Sequence, residues 1–425
     1  MQPKKPTRRD FLAGTAAVGV AGIATHCAKK SAQASDSAAA SAEPVPARRA
    51  LGPEDTIRCG FIGVGNRGSA LLRATLGLTG VSVVAVTDTY DVWRSRALNW
   101  CRERQPDVHD YVHFEEMLEA ESLDAVVIAT PDHVHVPAAM AALDRGLDVY
   151  CEKPIALTAQ DAKVLRNRAL ETGAVFQTGT QLRSMPLYQR ARDAVQAGEI
   201  GQVVLVQVQR HFAGGRLGED SVPNEANAGN VHWKAFLAGA QRRPFNPLRY
   251  FNWRLFRDYS NGYYGDLMLH HLDICHYITG CAMPRRVLAA GGIYHADDGR
   301  TTPDTVSALV DYGNAGFHFN YTTTDSGGDY ATFERYIGTE GSIEVRDMER
   351  LTLQRGEAAE EVRREPGRDT AHLKDFFAAM RSREQVIAPA EAGHMAAAAA
   401  HMAILSYEEG CAVAWDEDAE SPVRT

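Results

Sequence analysis

The chain has 425 residues, 45% of them hydrophobic, and a formal net charge of -9. Length and composition of this kind imply a large core shared among about two or three domains. The basic residues form no single stripe, which excludes a nucleic-acid surface and points to a small-molecule partner.

Residues 1–34 stand apart from that core. Lys4, Lys5 and the pair Arg8-Arg9 precede Phe11-Leu12 and a run of small apolar residues reaching Thr25, too short to span a bilayer. The stretch TRRDFLA, Thr7 to Ala13, resembles a twin-arginine signal, so export by the twin-arginine machinery to the periplasm is expected. Cleavage after Ala32-Gln33-Ala34 is the expected route. Lipid attachment at Cys27 is the alternative, disfavoured by the bulky His26. Residues 35–54, rich in Ala, Ser and Pro, read as a flexible linker. The seven cysteines are scattered with no CxxC pair, so they read as small buried hydrophobes rather than a disulfide framework.

The mature part opens on a β-rich run, Ile57 to Ile62, followed by Gly63-Val64-Gly65-Asn66-Arg67-Gly68 and a helical pattern from Ser69. This is G-x-G-x-x-G in the context that gives it meaning. The glycines permit a tight turn and close approach of backbone to a diphosphate, which the helix N-terminus stabilises. A second strand, Val81 to Asp88, ends in the carboxylate expected on the ribose hydroxyls of a dinucleotide. Its charge would repel a 2'-phosphate, so NAD is expected over NADP.

Alternation continues with FEEMLEA as a helix, Leu123 to Thr130 as a buried strand, VPAAMAALDRG as a helix and LDVYCEKP as a strand. The fold class is therefore α/β, a doubly wound parallel sheet over 55–180. Loops at the carboxyl ends of its strands place Thr130, Pro131, His133, Glu152 and Lys153 beside the cofactor. His133 and His135 form H-x-H, but no third ligand stands at a metal spacing and no metal is expected. Spacing alone leaves Lys153 open between a hydrogen-bond donor to a substrate oxygen and a salt bridge with Glu152.

Several stretches together, GFIGVGNRG, IATPDHVHVPAA, YCEKPIALT, QTGTQLRS and GEIGQV, resemble the Gfo/Idh/MocA oxidoreductase family over residues 56 to about 416. The resemblance implies that Lys153 is catalytic beside the nicotinamide. It also implies a second domain whose open sheet face serves for contacts in a homo-oligomer.

The pattern of 181–425 agrees with an α+β domain. Val203 to Arg210, Arg286 to Tyr294, Thr305 to Tyr312, Gly316 to Thr323, Glu334 to Gly338 and Ser342 to Arg346 read as strands of one large, mostly antiparallel sheet. A late helix, Glu391 to Glu409, is expected to pack back on the first domain.

Ten aromatic residues crowd into 233–264 although the chain is only 8% aromatic. They suit either core packing or the stacking of a sugar ring, and Arg183, Trp253 and Arg254 are the candidates for substrate contacts there. A helix from about Asp266 would set Asp266, His270 and Asp273 on one stripe, where a carboxylate can orient an imidazole base. The inositol dehydrogenase branch of the family has D-x-x-x-H at this place, which implies that Asp266 binds substrate and His270 is the acid/base. The expected activity is oxidation of a sugar or glycoside hydroxyl, with tightly bound NAD taking the hydride. Alternatives are a redox glycosidase, a lyase or epimerase using the same transient oxidation, and a non-catalytic sugar sensor that keeps NAD as structure.

Overall fold

A computed structural model describes residues 45–211, 221–281, 283–326 and 331–425. The segment read as an export signal, Cys27 and the first part of the expected linker lie outside the described residues. The remainder of that linker is not free. Arg48 pairs with Asp148 at 3.2 Å and Arg49 with Asp124 at 3.0 Å, and the Pro46 carbonyl lies 2.4 Å from where a Cβ on Gly146 would stand. Two cations close to buried carboxylates fasten 45–54 to the first domain.

That domain is a six-stranded sheet in the order β3-β2-β1-β4-β5-β6, every pair parallel. Its strands are β1 (Ile57–Ile62), β2 (Val81–Thr87), β3 (His109–Tyr111), β4 (Ala125–Ile128), β5 (Asp148–Glu152) and β6 (Phe176–Gly179). Helices α1 (Asn66–Leu76), α2 (Asp91–Arg102), α3 (Phe114–Ala120), α4 (Asp132–Leu143) and α5 (Ala159–Thr172) connect them. Because β4 and β5 are buried on both faces, β4 is a continuous apolar run and β5 is apolar between its terminal Asp148 and Glu152, both without alternation. Local signals end the helices as well: Thr158 accepts from the Asp161 amide to start α5, and Gly173 closes it at φ 63°. Strand order reverses between β1 and β4, and ligand crevices form outside the carboxyl ends at such a point.

After α6 (Pro186–Gln196) comes the second sheet, whose described strands are β7 (Val203–His211), β8 (Arg286–Gly292), β9 (Thr305–Tyr312), β10 (Phe317–Thr324), β11 (Ala331–Gly338), β12 (Ser342–Arg346), β13 (Arg350–Arg355), β14 (Ala358–Arg363), β15 (Val413–Asp416) and β16 (Ser421–Arg424). Their order is β14-β13-β12-β11-β7-β10-β9-β8-β15-β16, antiparallel except for β7 with β10. Alternation is plain in β10, where Phe317, Phe319 and Tyr321 are buried and His318 and Thr322 are exposed. On the outer face Leu288 and Leu309 pair across β8 and β9, 51% and 45% exposed.

Between β7 and β8 the chain forms an arm carrying α7 (Trp233–Leu237) and α8 (Pro247–Phe251), then α9 (Leu269–Thr279). After the sheet it returns to the first domain. In α10 (Arg368–Ser382), Leu373, Phe376 and Met380 join Leu71, Leu72 and Val83 in one buried cluster. The helix α11 (Ala390–Glu409) lies against α5, α9 and β8, its alanines allowing close approach. The cut at residue 180 therefore divides the chain in sequence but not the core.

Candidate active site

The glycine turn comes first. Gly63 has φ +85°, and a Cβ on Gly68 would lie 2.0 Å from the Gly63 carbonyl oxygen. Only glycine lets α1 approach β1 this closely. Gly68 acts by packing, whereas Gly63, Gly65, Asn66 and Arg67 line a cavity of about 800 Å³ at the carboxyl ends of the strands. A turn with this geometry, opening onto a helix N-terminus, fits a dinucleotide diphosphate.

Asp88 lines the same cavity at the end of β2, buried to 7% exposure. Its carboxylate accepts from the Val64 amide at 2.8 Å and the Tyr90 amide at 2.9 Å, and Tyr250 adds a longer bond at 3.4 Å. The acid thus shapes the glycine turn as well as facing the cavity. Burial pushes its carboxyl up from the ordinary value against those hydrogen bonds.

Across this end lies the arm. Tyr90 forms a β-bridge with Val231, the Asp91 amide donates to Asn230, and the His232 amide donates to Thr89. Asp91 also pairs with His232 at 2.8 Å, and Tyr250 bonds Thr89 at 2.8 Å. Most of the aromatic cluster packs on itself and on the first domain rather than facing a sugar. Phe236 contacts Trp233, Tyr250, Tyr259 and His133 at ring distances of 4.9 to 5.3 Å. Phe236, Tyr250, Phe251 and Trp253 also line the cavity, the Trp253 ring 4.2 Å from the Arg254 guanidinium.

At the end of β5, Glu152 does not pair with Lys153. Glu152 accepts from Arg67 Nε at 2.8 Å and Gln181 Nε2 at 2.6 Å, and Arg67 goes on to Asp369. Lys153 turns to the second domain, where Nζ donates to Asp266 Oδ1 at 2.8 Å and to the Asp266 carbonyl at 2.7 Å. Arg254 Nε reaches the same Oδ1 at 3.1 Å. Burial alone would raise the Asp266 carboxyl, but Lys153 and Arg254 hold it well below the usual carboxylate range.

The expected helix from Asp266 begins one turn wider. Tyr264–Met268 is a π-helical turn, and α9 proper starts at Leu269. Asp266 and His270 still line the cavity together. His270 Nδ1 is buried with no hydrogen-bond partner, and burial, then Lys153 and Arg210, push the imidazole well below its ordinary value. The ring as a whole is half-buried on the cavity, and a neutral imidazole beside an ammonium can act as a base there.

Three expectations are corrected. Arg183 does not line the cavity: it is buried in a bidentate pair with Asp273 at 2.8 to 3.0 Å, and so takes Asp273 out of the proposed stripe. His133 turns away from the cofactor side, donating from Nε2 to the Phe236 carbonyl at 2.8 Å, and burial lowers it to about 4. His135 bonds the carbonyls of Pro154 and Thr130 and so fixes the two strand-end loops to each other. Thr130 and Pro131 do line the cavity.

The sequence reading missed Asp132, at the first turn of α4. It lines the cavity at 3% exposure, accepts from Ser260 Oγ at 3.0 Å, and burial pushes it up to about 7 despite Arg254 and Lys153. Its place directly after Thr130-Pro131 was the available signal. Arg210, Arg364 and Arg368, also on the cavity, carried none.

Comparison with known proteins decides the family. Residues 57–180 match the Gfo/Idh/MocA oxidoreductase family's NAD-binding Rossmann fold, and 236–414 its C-terminal alpha/beta domain. The chain belongs to the Gfo/Idh/MocA oxidoreductase family. Inositol 2-dehydrogenase 1 of Saccharopolyspora erythraea is 36% identical over 153 residues, 36% of this chain and 44% of that protein. The scyllo-inositol 2-dehydrogenase (NAD(+)) of Bacillus subtilis is 26% identical over 68% of this chain and 74% of its own. The 2,7-anhydro-N-acetylneuraminate hydratase of Mediterraneibacter gnavus is 25% identical over 68% and 67%. The chain spans about half the length or less of the first curated relatives it matches. Among solved structures, levoglucosan dehydrogenase with NADH and levoglucosan aligns with a TM-score of 0.68 at 18% identity, covering 85% of this chain and 99% of that one. UDP-N-acetylglucosamine 3-dehydrogenase of Acidithiobacillus ferrooxidans aligns at 0.64 and 20%, covering 83% and 98%. These two establish the fold.

Proposed function

We propose that this family member is an exported, NAD-dependent oxidoreductase that oxidises a hydroxyl of a sugar or glycoside. The observation that carries the reading is the half-buried imidazole of His270, held neutral, on the same cavity as Lys153, which Asp266 orients. Gly63, Gly65 and the N-terminus of α1 would hold the dinucleotide diphosphate, with Asp88 toward the ribose. When bound, NAD supplies the hydride acceptor.

His270 takes the hydroxyl proton, while the Lys153 ammonium donates a hydrogen bond to the same oxygen and stabilises the charge that develops there. The carbinol carbon loses a hydride and becomes a ketone. Asp266 is a positioning residue for Lys153 as well as a candidate contact to a neighbouring hydroxyl. The names of the inositol relatives support this chemistry. The arm over the β2–α2 loop supports a cofactor that stays bound between turnovers, as an exported enzyme would need. The paired Leu288 and Leu309 support a homo-oligomer through the outer sheet face.

Asp132 favours a second reading. A redox glycosidase or lyase needs another group to move the proton beside the transient ketone, and Asp132 is a buried carboxyl on the same cavity pushed up to about 7. The hydratase relative is consistent with it. Incubation with a panel of sugars and glycosides in heavy water separates the two. The dehydrogenase gives a ketosugar and a stoichiometric rise at 340 nm with the glycosidic bond intact. Deuterium at C2 with released aglycone and no net NADH establishes the second reading instead. No absorbance change, no exchange and no product would leave only a sugar sensor.

A further inference from the structure

The cavity is lined by seven Lys and Arg side chains and five Asp and Glu among the described residues. The carboxylates are already engaged: Glu152 by Arg67 and Gln181, Asp266 by Lys153 and Arg254, Asp88 by two backbone amides, Asp132 by Ser260. Glu115, exposed on α3, is the fifth. The wall that the second domain supplies carries three further arginines. Arg210 is the next-to-last residue of β7, Arg364 follows β14, and Arg368 opens α10.

Arg368 is the most telling of the three. Its nearest carboxylate, on Asp369, is 3.8 Å away, and both oxygens of Asp369 are taken by Arg67 at 2.9 and 3.1 Å. The Arg368 side chain remains 34% exposed, and partial burial lowers the guanidinium from its ordinary value. Arg364 has Glu349 at 2.5 Å and Arg210 has His271 at 3.5 Å, so each is steadied while still facing the cavity.

The position of this wall matters as much as its charge. Arg210 acts on His270 electrostatically, which places it by the proposed base, whereas Arg368 stands near Arg364, Arg67 and Glu152. At the ribose end the cation that acts on Asp88 is Arg94 instead. A diphosphate already has the glycine turn and the α1 N-terminus. Guanidinium groups match the planar or tetrahedral oxygens of carboxylate and phosphate.

We infer that the wall of Arg210, Arg364 and Arg368 receives an anionic group, a carboxylate or a phosphate, carried by the sugar substrate. This deepens the sugar-oxidation reading and rests on it for the identity of the ligand as a sugar. The favoured substrates are acidic sugars rather than neutral ones.

The test uses the full NAD-loaded protein and matched pairs: D-glucose with D-glucuronate and with glucose 6-phosphate, and D-galactose with D-galacturonate and with galactose 6-phosphate. Calorimetric titration is expected to give at least one acid tenfold or more tighter than its neutral partner. The preference should shrink as salt rises from 50 to 500 mM, about the range over which surface charges become screened. Arg368→Gln should remove most of it and Arg368→Lys part of it, with NADH affinity unchanged in both, which also certifies the fold. Equal or weaker binding of every acid overturns the inference. So does a loss of NADH affinity in Arg368→Gln without loss of acid preference, which would assign the arginine to the cofactor's diphosphate. Absorbance at 340 nm is read separately. An acid that binds through Arg368 but is never oxidised sinks the oxidoreductase reading and leaves the anion site, whereas oxidation of neutral sugars with no acid preference does the reverse.

Discussion

The two regions that meet at the cavity are built by opposite means. The glycine turn and the ends of β1, β2, β4 and β5 form their part of the site from backbone, where a missing Cβ or a buried amide decides the geometry. Among its described residues, the arm between β7 and β8 has only short helices before α9 and holds its place by ring packing and by borrowed hydrogen bonds from the β2–α2 loop. A backbone-built region tolerates many side chains and announces itself through a few obligatory ones. A side-chain-built region depends on all its contacts together.

Substitutions can break that contrast, beginning at the junction. Lys153→Met removes the ammonium that both regions converge on, and hydride transfer should fall by about 10²- to 10⁴-fold with NADH binding retained. Stopped-flow absorbance at 340 nm with saturating sugar measures it, and an unchanged kcat would remove Lys153 from the chemistry. Phe236→Ala empties the middle of the arm cluster and should cost about 3–5 kcal/mol by denaturant titration, with NADH dissociating faster. A loss under 1 kcal/mol would mean that the arm is held by its hydrogen bonds alone.

His133 lies on the seam between the regions and supplies a pH test. Its folded value is lowered to about 4 by burial, so the unfolded chain binds the proton first. Its contribution is fully present above pH ~6.5 and is lost as pH falls toward 4, by about 1.4 kcal/mol per pH unit. In His133→Phe the dependence of unfolding free energy on pH should be shallower by that amount between pH 6 and 5, and an unaltered slope would show that the ring titrates normally.

Asp88→Ser probes the backbone-built side. It should weaken NAD and relax the rejection of NADP by about 1–3 kcal/mol each. Because the acid also holds the Val64 and Tyr90 amides, a fall in melting temperature should accompany the change. NAD affinity equal to the parent's would take Asp88 off the ribose. Tyr250→Phe is the mildest change, deleting the hydroxyl that reaches Thr89 and Asp88 from the arm. About 1 kcal/mol of stability and a few-fold faster release of NADH are expected. Slower release would mean that the hydroxyl competes with the ribose for Asp88.

What could be read in advance follows the same division. Gly63, Gly65, Gly68, Asp88 and the Lys153 loop were legible because each satisfies a local rule of strand, turn and helix. Lys153, His270 and Asp266 line one cavity, although spacing alone left Lys153 open between substrate and Glu152. The π-helical turn at Tyr264–Met268 was not legible, since it changes register without changing composition. Arg183 looked available because its partner, Asp273, stands 90 residues away in sequence. The role of the aromatic cluster stayed open for a related reason: crowding indicates burial but not which surface does the burying. Strands β13 to β16 were passed over, and the linker 45–54 was misread because its anchors, Asp124 and Asp148, stand near the starts of distant strands.

The arm's bridge to the β2–α2 loop has a consequence for isotopes. If that bridge outlasts a catalytic cycle, the hydrogen taken from one sugar stays in the protein as a record until something removes it. Deuterium at the reacting carbon of a first substrate would then appear in the next molecule reduced at the same site, even after the first product has been washed away. The protein would behave as a one-slot memory, written by one encounter and read by another, with the arm setting how long the mark persists.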